Sequence, residues 1–358
     1  MDHLPLSSSS GLSRRTLIKS TAATALAATP FISARAQSPA KITVAYPSRS
    51  GASWAIWLAK QAGLYEKHGL DVKLEYGVHP VGVAMLVSGQ AQMALYGIEP
   101  ILSAAVRDPS MVITSCSLSK GNFALVAKKE LKTMADLKGK RMGIGRVGDQ
   151  LYVYVLKMLQ KHGLTARDVE WVPTGGDVSS RVKMLQVGQL DASLMVAPGY
   201  FSLESQGFNV LDHLANYPDI YVSLVNVFKK SWARDNPEAI AKLTMAQAEA
   251  VRLFYDDKAT AVRTYRAFDP NQSEADISRL YDLYKQRGIL DRIPLLEKAA
   301  VASSVDIVSN DLPAIKKFDP ASIIDMGTVR KLVGEGYFQK LYGAGIAKEE
   351  QVKLASSY

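Results

Sequence analysis

Gly143, Gly145 and Gly148, inside the run MGIGRVGD over 142–149, carry the G-x-G-x-x-G spacing. Such glycines, after a strand and ahead of a helix, let backbone N–H groups and the helix dipole close on a phosphate. An apolar run precedes the loop and the apolar-periodic DQLYVYVLKMLQKHG follows it. A dinucleotide site also wants an acid at the end of the next strand, about twenty residues on. Here Glu170 begins that strand, which ends in Val172-Pro173. The loop is therefore read as a polar-ligand loop through Arg146, Val147, Gly148 and Asp149, and no cofactor is expected. Glu99 and Asp149 can accept a ligand N–H, but each stands at a helix start, where an acid offsets the dipole.

Other residues of useful type cluster in glycine-, proline- and serine-rich loops. In YPSRSG, Arg49 offers a planar fork for a carboxylate or sulfonate. Ser48 and Ser50 can donate to the same oxygens, although Ser50 also suits a helix cap. His79 lies in YGVHP, and Gly97, Ile98 and Glu99 lie in YGIEP. Thr174, Gly175 and Gly176 in PTGGD bring backbone N–H groups forward, and VAPGY supplies Pro198 and Tyr200. Trp54, Tyr96 and Tyr200 are candidate walls, while Trp57 reads as core. Asn122 and Asn226 are candidates beside the two segments that link the halves of the chain. Five scattered histidines without an H-x-x-H pair, and one cysteine, argue against a metal and exclude a disulfide.

These loops belong to a repeat. KHGL, an alternating strand, a loop and MLVSGQAQMALYGIEP in the first copy return as KHGL, DVEWV, PTGGD and MLQVGQLDASLMVAP. Each copy opens with strand, glycine-bearing loop and helix. The glycine of each KHGL suits a left-handed helix end. Short apolar segments alternating with helices predict βαβ units, hence two lobes that are each a mainly parallel sheet flanked by helices. Ligands bind at the carboxyl ends of such strands, so the six loops are expected to line one cleft. FALVAKKE (123–130) and IYVSLVNVF (220–228) read as strands passing between lobes, and Pro237 opens a helical region that has no repeat partner and is placed around the first lobe.

The N-terminus reads as an export signal. Arg14-Arg15-Thr16-Leu17-Ile18-Lys19 leads a short apolar run ending in Ala34-Arg35-Ala36, the pattern of a twin-arginine signal cleaved near Ala36/Gln37. Removal takes the net charge from +9 to about +6 and leaves 322 residues, enough for two lobes. The charge is dispersed, without the basic stripe of a nucleic-acid binder. No later stretch is apolar for long enough to span a membrane. The expected segments are a signal over 1–36, lobe 1 over 37–127, lobe 2 over 128–222, and the rest of lobe 1 with C-terminal helices over 223–358.

AGLYEKHGLDVKLE, LVSGQAQMALYGIEP, LKTMADLKGKRMGIG and MLQVGQLDASLMVAP resemble the solute-binding proteins of nitrate/sulfonate/taurine-type ABC importers, a family that also includes binders of thiamine pyrimidine precursors. The resemblance runs from about residue 41 to about 255. It implies a type II periplasmic-binding fold whose lobes close on a solute and dock, as a monomer in the periplasm, on an inner-membrane permease with a cytoplasmic ATPase. It implies no enzyme activity. Arg49, Lys120 and Arg146 favour a small organic anion such as a sulfonate or aromatic carboxylate. Glu99, Asp149 and Asp177 keep a nitrogen heterocycle open. An exported sensor and an enzyme on the same fold, of the pyrimidine-synthase kind, are the readings of other classes; the cysteine-rich motif of the latter is missing around Cys116.

Overall fold

The computed structural model describes residues 40–77, 79–174 and 178–358, so the expected signal and its cleavage point at Ala36/Gln37 lie outside the described residues. The chain runs through β1 (Ala40–Tyr46), β2 (Leu70–Tyr76), β3 (Met93–Gly97), β4 (Met111–Leu118), β5 (Phe123–Ala127), β6 (Arg141–Ile144), β7 (Glu170–Pro173), β8 (Ala192–Val196), β9 (Asn209–His213) and β10 (Leu224–Lys229). Among the described residues these make two sheets, in the orders β2-β1-β3-β10-β4 and β7-β6-β8-β5-β9. β1 pairs parallel with β2 and β3, and β6 pairs parallel with β7 and β8. β10 and β5 each enter antiparallel, between the third and fifth strands of a sheet. The sheets are mixed, with four of the five strands in each running the same way.

The repeat explains this equivalence residue by residue. Gly69 and Gly163 of the two KHGL runs adopt φ of 73° and 74°, the left-handed helix end that frees the next strand. β3, MALYG, is buried throughout, as a strand covered on both faces must be. Before β3, Gln92 bonds Thr43 of β1 twice: its N–H donates to the Thr43 carbonyl at 3.0 Å, and its Oε1 accepts the Thr43 N–H at 2.8 Å. Asp191, before β8, does the same to Arg141 of β6, at 3.0 Å in both directions.

The chain passes between the sheets twice. Ser119–Asn122 leads from β4 to β5, and the segment from Leu214 to Ser223 leads from β9 to β10. The two passages are tied where the Ser223 N–H donates to the Leu118 carbonyl at 2.9 Å. β5 thus belongs to the second sheet. The expected segments put FALVA, read as a strand passing between lobes, at the end of lobe 1, whereas the crossing is made before it, at Ser119–Asn122, and FALVA pairs within the second sheet. The expected return near residue 223 coincides with the start of β10.

The C-terminal helices cover the first sheet. Pro237–Asp256, with Pro237 in its first turn, and Lys258–Phe268 pack on the helix Trp54–Gln61. Trp57 stacks on Phe268 with centroids 5.1 Å apart and planes 4° from parallel. Lys298–Ser309 lies against Ile98–Ala105, while its Ile307 joins the core of the second sheet. Among the described residues no helix is long and apolar enough to cross a membrane.

Candidate functional site

A cavity of about 470 Å³ opens where the carboxyl ends of β3 and β6 face each other. Gly97 and Glu99 line it from the first lobe, Phe123 at the start of β5 and Arg146, Gly148, Asp149 and Gln150 from the second, and Tyr221 from the return passage. The helix Ile98–Ala105 starts at Gly97 and holds Glu99 in its first turn. Glu99 as a residue is partly exposed, but its carboxyl is enclosed. Oε1 accepts from the Tyr154 hydroxyl at 3.1 Å, Gln150 Nε2 at 3.3 Å and the Ser304 hydroxyl at 3.3 Å. Burial pushes the carboxyl pKa up, and these donors only partly offset that.

Behind Glu99 stand three rings. Phe123 and Tyr154 have centroids 6.2 Å apart, Phe123 and Tyr221 5.9 Å, and Tyr154 and Tyr221 5.2 Å. Edge and tilted arrangements at these distances are favourable and rigid. Phe123 and Tyr221 line the cavity as an apolar wall, and Tyr154, fully buried, packs behind them. The hydroxyl of Tyr154 joins this wall to Glu99, so a flat solute there meets aromatic carbon on one side and a carboxyl on the other.

The mouth of the cavity is bridged. Arg146 Nη2 lies 2.5 Å from Asp311 Oδ2, the Asn310 amide donates to the Gly148 carbonyl at 3.0 Å, and Lys157 pairs with Asp306 at 3.2 Å. Gly148 has φ of 84°, which brings its carbonyl round to Asn310. Asp149 is occupied as a helix cap, accepting the N–H groups of Tyr152 at 2.8 Å and Arg146 at 2.9 Å. Three carboxylates and one guanidinium therefore line the described part of the cavity, and the guanidinium is paired.

Of the candidates from sequence, Gly97, Glu99, Arg146, Gly148 and Asp149 come together here. Val147 is next to them but points to solvent, 58% exposed. Ser48 and Ser50 bond each other at 2.9 Å, and Ser50 caps the turn Gly51–Ser53. Arg49 is exposed and lies over the Tyr76 ring, 5.0 Å from its centroid. Thr174 folds its hydroxyl back on the Ile144 carbonyl at 2.8 Å, which makes it a turn residue. Asn122 stays in the passage, donating to the Tyr284 hydroxyl at 3.0 Å, and Pro198 follows β8 outside the cavity lining. The His79 side chain, Gly175 and Gly176 lie outside the described residues.

Five candidates are corrected to structural roles. Trp54 is fully buried with its indole N–H on the Ala261 carbonyl at 2.8 Å, because C-terminal helices with no counterpart in the repeat cover it. Tyr96 is buried with its hydroxyl on the Gly77 carbonyl, in space that a side chain at Gly82 would fill. Ile98 and Tyr200 are core, Tyr200 reaching His213 at 3.4 Å. Asn226 is inside the first sheet, donating to Ser115 at 2.8 Å and Gln247 at 2.7 Å. Sequence reasoning missed Gln150, Phe123, Tyr221 and Asp311 in the lining, and the Glu99 donor Ser304 behind it. Tyr154 falls on the apolar period of its helix and is core, as that spacing reads; only its hydroxyl bond to Glu99 has no local signal.

Two mixed five-stranded sheets joined by two passages are the fold of periplasmic binding proteins. Among solved structures, a periplasmic sulfonate-binding protein of an ABC transporter from Methylobacillus flagellatus is similar with a TM-score of 0.67 at 20% identity, over 86% of this chain and 97% of that one. A desulfurization enzyme bound to biphenyl-2-sulfinic acid shares the fold with a TM-score of 0.60 at 16% identity, over 82% and 99%. The chain belongs to the NMT1/THI5-like family, whose profile it matches over residues 52–261. A provisionally named binding protein of Brucella abortus is 28% identical over 200 residues, 54% of this chain and 60% of that protein's length. A provisionally named thiamine biosynthesis protein of Haemophilus influenzae is 26% identical over 234 residues, 63% of this chain and 72% of that one.

Proposed function

We propose that the protein is an exported solute-binding component of an ABC importer, which holds a small nitrogen-bearing aromatic solute between its lobes and delivers it to an inner-membrane permease. The observation that carries this reading is the Glu99 carboxyl, which lines the cavity beside the rings of Phe123 and Tyr221 and is held from behind by the buried Tyr154 hydroxyl. A carboxyl so placed accepts an N–H from an aminopyrimidine-like ring while the rings cover its faces. A sulfonate would instead meet Glu99 and Asp311, with Arg146 already paired. The thiamine-related relative supports the same class of solute. An organic anion is the second reading, supported by the exposed Arg49 at the end of β1 and by the sulfonate-binding neighbour. Against an enzyme stands Cys116, the sole cysteine, buried in β4 where desolvation raises its thiol pKa and keeps it protonated.

The test is a thermal-shift screen of the mature protein against aminopyrimidines, aromatic amines, sulfonates and aromatic acids. A ligand at one hundred times its Kd adds about 2.7 kcal/mol of stability. Glu99→Gln should weaken an N–H-bearing ligand about tenfold or more, since a charge-assisted bond is worth about 1.5–3 kcal/mol. Because the Glu99 pKa lies above the ordinary carboxylate range, wild-type affinity should rise with pH until the carboxylate is fully formed, and Glu99→Gln should flatten that rise. Stabilisation by sulfonates alone would replace this reading with the second one.

A further inference from the structure

A second cavity, of about 770 Å³, shares no lining residue with the cleft. Six cationic side chains and three carboxylates line it. Arg292 pairs with Glu349 at 2.5 Å, and the buried Lys353 stands between Asp291 at 3.2 Å and Glu297 at 3.1 Å, which uses up all three acids. Four cations remain. Lys285 donates to the Tyr255 carbonyl at 2.8 Å and Arg287 to the Asn216 amide oxygen at 2.9 Å, both neutral partners. Lys120 and Lys348 form no ion pair among the described residues. Lys120 Nζ rests over Gly288, 3.4 Å from where a Cβ would stand, and the φ of 58° at that glycine closes the helix Glu274–Arg287.

The walls come from both passages between the sheets. Lys120 follows Ser119, whose N–H and hydroxyl are held by Asp291 at 2.5 and 2.6 Å. Asn216 and Pro218 belong to the return passage, and Lys348 and Lys353 to the last helix, Ala347–Ser356. Holding four unneutralised cations around one concavity raises its potential, and the charge that relieves it is negative and more than single. We infer that this cavity is a binding site for a small multivalent anion, of the polyphosphate or polycarboxylate kind, seated against both passages. It takes a different chemical class from the cleft and does not depend on the cleft ligand.

The mature protein is titrated with pyrophosphate and, separately, citrate at constant ionic strength, with chloride as the control. A saturable rise in the thermal midpoint is expected for the multivalent anions and none for chloride. Lys120→Ala/Lys348→Ala, which breaks no ion pair among the described residues, should raise Kd tenfold or more, and Glu99→Gln should leave it unchanged. Hydrogen exchange should slow at 119–122 and 214–223 on adding pyrophosphate. A response no greater than that of chloride, a response that survives in the double variant, or protection confined to other segments would each overturn the assignment.

Discussion

The helix that follows the first strand of each sheet serves opposite ends in the two lobes. After β1, Trp54–Gln61 turns both indoles inward. Trp54 sits among Phe254, Tyr265 and Tyr284 at centroid distances of 5.0, 4.9 and 5.6 Å. After β6, Gln150–Lys161 keeps Tyr154, Val155, Met158 and Leu159 in its own core but turns the Gln150 amide and the Tyr154 hydroxyl to Glu99. Loop and helix are equivalent in the repeat. What differs is the cover, since the C-terminal helices lie on the first lobe's helix and the cleft lies beside the second's. Trp54 and Tyr154 are both fully buried, so the repeat determines topology, and the unrepeated sequence determines whether a core aromatic is closed over by helices or keeps its hydroxyl on a residue that lines the cavity.

The largest effect should come from exchanging those fates. Trp54→Ala should cost about 3–5 kcal/mol of unfolding free energy, as removal of a buried large aromatic does, measured by denaturant melts. Tyr154→Phe keeps the ring and loses one hydroxyl, so its stability should fall by about 1 kcal/mol while the affinity of a cleft ligand drops. Equal destabilisation by the two, or an unchanged affinity in Tyr154→Phe, would show that the Tyr154 hydroxyl serves the core and not Glu99.

The architecture was legible because its signals are local. KHGL, the glycine ends and the alternation of short apolar strands with helices reappear as the paired strand orders. The lining of the cavity was legible only where a loop carried it, as at Gly97, Glu99, Arg146, Gly148 and Asp149. Trp54 and Tyr154 show why the rest was not. Both are aromatics on an apolar helical period, and only contacts about 200 and 55 residues away in sequence, to Ala261 and Glu99, decide their roles. Asp311 and Ser304 lie in a region with no repeat partner, where nothing local marks a residue that reaches the other lobe.

Gln92 and Asp191 allow a gentler form of the comparison. Both bridge the first and third strands through the same pair of bonds, but only Asp191 is charged. It also takes Arg141 at 2.9 Å and Lys128 at 2.7 Å. These partners, Arg141 foremost, hold its carboxyl well below the usual range. Asp191→Asn should therefore lose about 1–2 kcal/mol at neutral pH, because the backbone bond stays and the charge-assisted ones go. A lowered carboxyl pKa gives stability that is complete above the unfolded value, about 3.9, and is lost as pH falls through the folded value. The gap between wild type and variant should then close only below about pH 4. A gap that closed between pH 8 and 6 would mean that another group carries it.

The smallest effect should belong to the bridge across the mouth, Arg146 with Asp311 beside Asn310 with Gly148. Arg146 and Asp311 are 58% and 62% exposed, so water screens the pair and folding stability should barely register its loss. Its leverage is on the lobes. The C-terminal region supplies Asp306, Asn310 and Asp311, and the second lobe supplies Lys157, Gly148 and Arg146. Asp311→Asn combined with Asn310→Ala should leave the thermal midpoint of the unliganded protein nearly unchanged and increase its radius of gyration by small-angle scattering. The wild type should approach the variant's profile in about 1 M salt, where the screening length falls to about 3 Å. Identical profiles for wild type and variant at low salt would show that these contacts do not hold the lobes together, and the burden would pass to the other contacts between them, among them Glu99 with Tyr154 and Gln150, and Arg279 over Phe201.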